Sequence, residues 1–273
     1  MLYGLLSGTV DFPLLGWILN GVYYGLIIAA IASTAALFYN AMTRAGSDPF
    51  RLRVFVILSS VMALPLGIIS SRIANIFYFP PDQWGFSLIM QQLTAGPLET
   101  FHASLILPLG FIAVIAVILK LRLSMVTDTL FLYLPAGHAI GRTGCLLAGC
   151  CWGHPVTLSV FGRTFSFNNP VPLYEIVLNL FLFILLRFQY HRIYSSGSHS
   201  SKGRGRITAF YLIGYGVLRM GLELLRKEKA VGWGLTLAQW GMTGFIFAGL
   251  TGLLIIYLHD RLPKPCYCDT QTP

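Results

Sequence analysis

An all-α, polytopic integral membrane protein of about seven transmembrane helices is the fold class this sequence predicts, and three observations predict it. Hydrophobic residues make up 55% of the 273 residues and charged residues only 11%, with a mean hydropathy of +0.70, values foreign to a soluble domain. Apolar runs long enough to cross a hydrocarbon layer of about 30 Å recur along the chain. Lys and Arg gather in alternate connecting loops, as they do when one side faces the cytoplasm.

The runs follow one another in order. Leu14 to Tyr39 is the first span; it is too long and too late for a cleaved signal peptide and reads as a retained helix. Arg53 to Phe77 and Ser104 to Leu119 are the second and third. The fourth, Leu130 to Ala148, is interrupted by Pro135, Gly137, Gly141 and Gly144, with Gly149 just beyond, and broken backbone there would need protein or water around it. Leu173 to Phe188 is the fifth and is short. Ile207 to Leu225 and Leu237 to Leu258 complete the set.

Orientation follows from the loops. Arg44, Arg51 and Arg53 follow span one, Lys120 and Arg122 span three, Arg187, Arg192, Lys202, Arg204 and Arg206 span five, and Arg261 and Lys264 span seven. These four basic loops belong on the cytoplasmic side, which sets the amino terminus outside and the carboxyl terminus inside. Arg226, Lys227 and Lys229 then fall on the outer side, where they either break the rule locally or hold anionic lipid headgroups. The formal charge of +9 is explained by cytoplasmic loops and anionic lipid without any nucleic acid. No internal repeat or second domain is visible, so residues 1–273 read as a single transmembrane domain. Within it, 193–205 is a flexible cytoplasmic linker and 260–273 a cytoplasmic tail.

Two stretches carry ionisable groups at membrane depth, where they are costly and usually functional. In the first, Arg142 lies between Gly141 and Gly144, with His138 one turn earlier. Glycines let a bulky ligand approach the backbone, and a guanidinium presents a planar fork of donors that suits phosphate. An interfacial arginine that snorkels to headgroups is the plainer alternative. In the second, Tyr215, Arg219 and Glu223 recur every four residues with Arg226 close by, so they share one face of a helix. A structural Arg219-Glu223 pair and an arginine that grips an anionic substrate are both compatible with that spacing. Together the two stretches suggest an intramembrane anion site.

His102 opens the third span; as an isolated feature it is either a polar cap or a base able to accept a proton near neutral pH. Of the five cysteines, Cys145, Cys150 and Cys151 lie in the Gly-rich stretch and Cys266 and Cys268 in the tail. The spacing C-x4-C-C fits no zinc pattern, so no metal is expected. Packing between helices is the default for these small side chains, with a Cys145 disulfide to Cys150 or Cys151, or a thiol role in catalysis, as alternatives. The tail pair is open to palmitoylation or weak metal binding.

Further short stretches complete a recognisable order: Tyr24-Gly25-Leu26, Ser70-Ser71-Arg72, Phe101-His102, Asp128, Gly141 to Gly153, Asn169 to Glu175, Gly214-Tyr215-Gly216 with Arg219, Glu223 and Arg226, and Gln239. In this order the chain resembles prolipoprotein diacylglyceryl transferase, the integral membrane enzyme that attaches a lipid to the cysteine of bacterial prolipoproteins. The departures lie in the signature: Cys145 and Ala148 stand where that family has asparagines, and Cys150 where it has glutamate. Asn169 replaces a histidine, Pro172 a glutamine, and Ala103-Ser104 two glycines.

The resemblance implies a bacterial inner-membrane transferase that moves a diacylglyceryl group from phosphatidylglycerol to the cysteine thiol in the lipobox of a prolipoprotein signal peptide. Glycerol phosphate is released and no cofactor is needed. It implies that His102 deprotonates the acceptor thiol, that Arg142 and Arg219 hold the phosphate, and that Tyr24, Arg72, Gly141, Gly144, Tyr215 and Arg226 bind substrate while Glu223 orients Arg219. The altered signature leaves two alternatives: a related lipid transferase with another acceptor or donor, using Cys145, Cys150 or Cys151, and a non-enzymatic lipid-binding protein.

Overall fold

The computed structural model describes residues 13–77, 79, 81–95, 101–160, 163–194, 204–226 and 230–261. Its long elements are all helices: α1 (Pro13–Arg44), α2 (Pro49–Ile76), α3 (Phe86–Ala95), α4 (Phe101–Ser104), α5 (Ile106–Ile118), α6 (Leu123–Ala148), α7 (Val171–Tyr194), α8 (Arg206–Glu223) and α9 (Leu237–Arg261). Two antiparallel hairpins join them, β1 (Pro155–Val160) with β2 (Arg163–Asn168) and β3 (Ala230–Gly232) with β4 (Leu235–Thr236). Neither hairpin is expected from the hydropathy pattern. The linker expected over 193–205 and the tail over 260–273 fall largely outside the described residues.

Among the described residues, four helices are long and apolar enough to cross a membrane: α1 from Gly21, α2, α7 and α9. Large apolar side chains such as Ile57, Ile184 and Phe247 stand exposed on the outer faces, an exterior suited to a multi-pass membrane protein and hostile to water. α5 is shorter, with 13 residues. α6 and α8 carry ionisable groups, and these point inward: Asp128, His138, Arg142, Arg219 and Glu223 are all buried.

α6 is the central helix, packed against α1, α7 and α8. It runs unbroken through Pro135, and it begins seven residues before the expected boundary at Leu130. Hydropathy misses that first part because of Asp128, whose charge has a private set of partners. Its carboxylate accepts hydrogen bonds from Tyr194 Oη (2.8 Å), Gly205 N (2.8 Å), Thr208 N (2.9 Å) and Thr208 Oγ1 (2.7 Å). It thus ties the end of α7 to the first turn of α8, where the helix dipole favours a negative charge. Asp128→Ala is expected to lose about 3 kcal/mol, because buried donors are left unpaired. Thermal unfolding of the purified protein in detergent checks this, and the asparagine variant should lose less.

The glycines of α6 serve packing. A side chain at Gly137 would collide with Thr34 of α1, and one at Gly144 would press on the ring of Tyr23, so these two bring α1 and α6 together. Gly216 of α8 and Gly249 of α9 do the same for that pair, meeting Ile246 and Ala209. Gly141 alone among the three α6 glycines has open space beside it. One apolar core lies on each side of α6: Phe131, Leu182, Tyr211 and Met242 toward α7 to α9, and Phe38, Leu52, Phe55 and Ala116 toward α1, α2 and α5.

The end of α6, the start of α7, the end of α8 and the start of α9 meet at one end of the bundle. Backbone bonds fasten them there: Gly153 N donates to Asn169 O (2.8 Å), and His154 N to Leu225 O (2.8 Å).

Candidate active site

At that end four buried ionic side chains from three helices form one network. Glu175, in the first turns of α7, is its centre, with 1% of its surface exposed. One carboxylate oxygen forms an ion pair with Arg142 Nε of α6, and the other lies 3.7 Å from Arg219 Nε of α8. Arg219 Nη1 reaches Glu223 Oε2 at 2.7 Å. Glu223 Oε1 in turn accepts from Thr236 Oγ1 at 2.9 Å, and Thr236 N donates to Gln239 Oε1 of α9 at 3.0 Å. Buried charges persist only when paired in this way, since each would otherwise cost several kcal/mol. The local sequence permits it because Arg219 and Glu223 are one turn apart on α8.

Arg142 also donates from Nε to His138 Nε2 (3.1 Å), one turn earlier on α6, and its Nη1 lies 3.8 Å from Cys145 Sγ. His138 packs in turn on the ring of Tyr215, 5.6 Å between centroids. Tyr215 stacks on Tyr211 at 5.5 Å and is itself buried.

A cavity of about 720 Å³ opens in front of this network between α1, α2, α5 and α6. Its long walls are apolar, with Ile31, Phe38, Val56 and Leu134 among them, and small hydroxyls such as Ser60 and Ser71 interrupt them. At one end it is closed by Arg142, Arg226, His138 and the three cysteines, with Gly141 leaving the wall open beside them. Three guanidinium groups, Arg142, Arg219 and Arg226, face two carboxylates, so this end keeps an excess positive charge. A void with apolar walls and a cationic end has the chemistry of a receptor for an anionic amphiphile.

The expected site residues divide into those on the cavity and those behind it. Arg142, Gly141 and Arg226 border it. Arg219, Glu223 and Tyr215 sit behind Arg142, reached through Glu175 and His138. Gly144 is packed on Tyr23. Tyr24, expected at the substrate, is 55% exposed and points away; its neighbour Tyr23 lines the cavity instead. Arg72 is also away from the cavity, donating from Nη1 to the carbonyl of Leu93 (2.6 Å) and so tying α2 to α3. The backbone of His102 lies in α4, which α2 holds through Ser70 Oγ donating to Ala103 O (2.5 Å); the His102 side chain lies outside the described residues. The neighbouring Ser104 lines the cavity.

Two residues central to this site are not marked by the motifs alone. Glu175 ends the stretch Asn169 to Glu175, and its signal in the sequence is a lone acid near the start of an apolar span. His138 is marked only by standing one turn before Arg142. Cys145, Cys150 and Cys151 are free thiols, so the disulfide alternative is not formed, and their three Sγ atoms lie within 4.8 Å of one another. Spacing hid this, because Gly149 ends α6 at φ +68° and Cys151 adopts φ +63°, folding the loop back on the last turn. Cys151, beyond the end of α6, is held well below the usual thiol range by hydrogen bonding with Cys145 and Cys150 and by the charges of Arg142 and Arg226.

Comparison with known proteins gives this arrangement a family. A family model described as prolipoprotein diacylglyceryl transferase matches residues 18–255. Among curated proteins, one named phosphatidylglycerol-prolipoprotein diacylglyceryl transferase from Nitrosospira multiformis is 29% identical over 212 residues, which is 70% of this chain and 66% of the relative. A protein of the same name from Bordetella bronchiseptica is 28% identical over 251 residues, 83% of this chain and 87% of the relative. One from Streptococcus pneumoniae is 37% identical over 106 residues, 39% of this chain and 37% of the relative. Since the family model spans all but the two ends of the sequence, the chain belongs to the prolipoprotein diacylglyceryl transferase family.

Proposed function

We propose that this protein transfers the diacylglyceryl group of phosphatidylglycerol to the thiol of a prolipoprotein cysteine, releasing glycerol phosphate. The observation that carries the reading is a cavity that joins apolar walls to Arg142 and Arg226. Acyl chains fit the walls, and the phosphate fits the guanidinium fork at the closed end. As the glyceryl carbon is attacked, negative charge grows on the departing phosphate, and Arg142 and Arg226 are there to stabilise it. Arg219 acts as a positioning residue: between Glu175 and Glu223 it fixes the carboxylate that aims Arg142. His138 accepts from the same Nε that meets Glu175, so both fix one edge of the guanidinium. His102 is the base expected from the family motif, two residues before Ser104, which lines the cavity.

The acceptor is the cysteine in the lipobox of a signal peptide, and the setting is the bacterial cytoplasmic membrane. The chain crosses it seven times, with the amino terminus outside, in agreement with the basic loops. In that orientation the arginine end of the cavity faces outward, where a translocated signal peptide presents its cysteine. The exchange of the family's asparagines and glutamate for Cys145, Ala148 and Cys150 favours a second reading, a lipid transferase of the same fold with another acceptor thiol.

The test mixes purified protein with phosphatidylglycerol and a lipobox peptide and follows both products by mass spectrometry. Diacylglyceryl-modified peptide and free glycerol phosphate should appear together, and His102→Ala should abolish both. Lipid bound without either product points to a different acceptor; full activity in His102→Ala removes that histidine from the mechanism.

A further inference from the structure

The three cysteines at the closed end of the cavity have a geometry of their own. Cys145 leaves the last turn of α6, and the loop through Gly149 returns Cys150 and Cys151 to it, with 3.5 Å between the last two sulfurs. All three Sγ atoms lie within 4.8 Å of one another. Around a zinc-sized ion with metal-sulfur bonds of about 2.3 Å, tetrahedral thiolates stand about 3.8 Å apart, so small side-chain rotations complete a three-sulfur face. Three soft donors select a thiophilic metal over magnesium or calcium. A divalent ion on three thiolates keeps a negative charge, and Arg142 Nη1, 3.8 Å from Cys145 Sγ, together with Arg226 at the same end offsets it.

Three protein ligands leave one tetrahedral position, the feature that separates a reactive zinc site from a closed structural one. All three cysteines line the cavity, so that position opens on the space where the arginines stand. We propose that Cys145, Cys150 and Cys151 bind a zinc-class divalent ion whose open position takes the acceptor thiol. This rests on the proposed transfer to a cysteine. On binding, the acceptor thiol gives its proton to the base of the proposed transfer, because a metal-coordinating thiol is held as thiolate. Its sulfur then forms a bond to the glyceryl carbon, the bond from that carbon to the phosphate oxygen breaks, and the oxygen leaves with the electron pair. No oxidant or reductant is involved.

The experiment uses the full chain with Cys266→Ser and Cys268→Ser, purified in detergent under reducing conditions, so that only the three clustered cysteines remain. Elemental analysis after zinc loading should find stoichiometric metal, and Cys145→Ser, Cys150→Ser and Cys151→Ser should each weaken its retention at least about tenfold. The cobalt(II)-loaded protein should show sulfur-to-cobalt absorption that changes when a lipobox peptide is added and stays unchanged with its serine analogue. This spectrum reads the site without relying on turnover or on how well a serine variant folds. Metal retention equal to the triple-serine variant overturns the site, as does a Cys145 disulfide found in its place. A cobalt spectrum indifferent to the peptide thiol overturns the acceptor role. If the triple-serine variant transfers lipid at the wild-type rate, this site is wrong and the proposed function stands. If the metal-loaded protein transfers nothing while the peptide still shifts the cobalt spectrum, the lipid reading fails and the thiol site stands.

Discussion

Glu175→Ala is expected to be the most disruptive single substitution in this protein. The carboxylate pairs with both Arg142 and Arg219, and it lies in the bundle with 1% of its surface exposed. Removing it leaves two guanidinium groups crowded together in a low dielectric, and breaking a buried pair by deleting one member costs about 3 to 5 kcal/mol. Thermal unfolding in detergent should show the loss directly. Glu175→Gln keeps the shape and removes the charge, so it should recover part of the stability but none of the turnover. Adding Arg142→Met to Glu175→Ala removes the guanidinium that has lost its carboxylate, whereas Arg219 keeps Glu223, and should raise stability above that of the single variant. If Glu175→Ala melts like the wild type, the network is not what holds α6, α7 and α8 together.

Arg142→Ala should have the largest effect on activity. Arg142 both borders the cavity and is ion-paired to Glu175, so it links ligand and scaffold. Deleting a donor that stabilises developing negative charge typically costs about 100- to 1,000-fold in rate, and a guanidinium that also binds the ground-state phosphate should lose at least that. Arg142→Lys should not rescue it, because an ammonium cannot hold Glu175 and His138 through one edge while presenting a second edge to phosphate. Release of glycerol phosphate from phosphatidylglycerol, timed by mass spectrometry beside lipid binding, checks both variants. Turnover within about threefold of wild type in Arg142→Ala, less than 1 kcal/mol in barrier, would remove it from the transition state.

Much of this architecture is legible without coordinates because a bilayer imposes its own grammar. Length and hydropathy locate α1, α2, α7 and α9, and helical spacing already places Tyr215, Arg219 and Glu223 on one face of α8. The cost of charge at membrane depth marks Arg142 and Arg219 as special whatever they touch. Family motifs then order these residues along the chain. The same hydropathy fails at Asp128, since a charge satisfied by Tyr194, Gly205 and Thr208 reads as loop until its partners are known.

Phase was harder to read. Tyr23 and Tyr24 differ by about 100° around α1, and a helix apolar on every side carries no pattern to say which one faces inward. Contact with Gly144 decides it, turning Tyr23 to the cavity and Tyr24 out. Composition, length and desolvation cost act on each segment alone, and they suffice for a helical membrane protein with guanidinium groups in its spans. That Glu175 joins two arginines, that Arg142 and not Arg219 meets the cavity, and that three cysteines converge comes from the packing of the helices. Those depend on which helix faces touch and on left-handed turns at Gly149 and Cys151, and no local property of the chain encodes the meeting of segments distant in sequence.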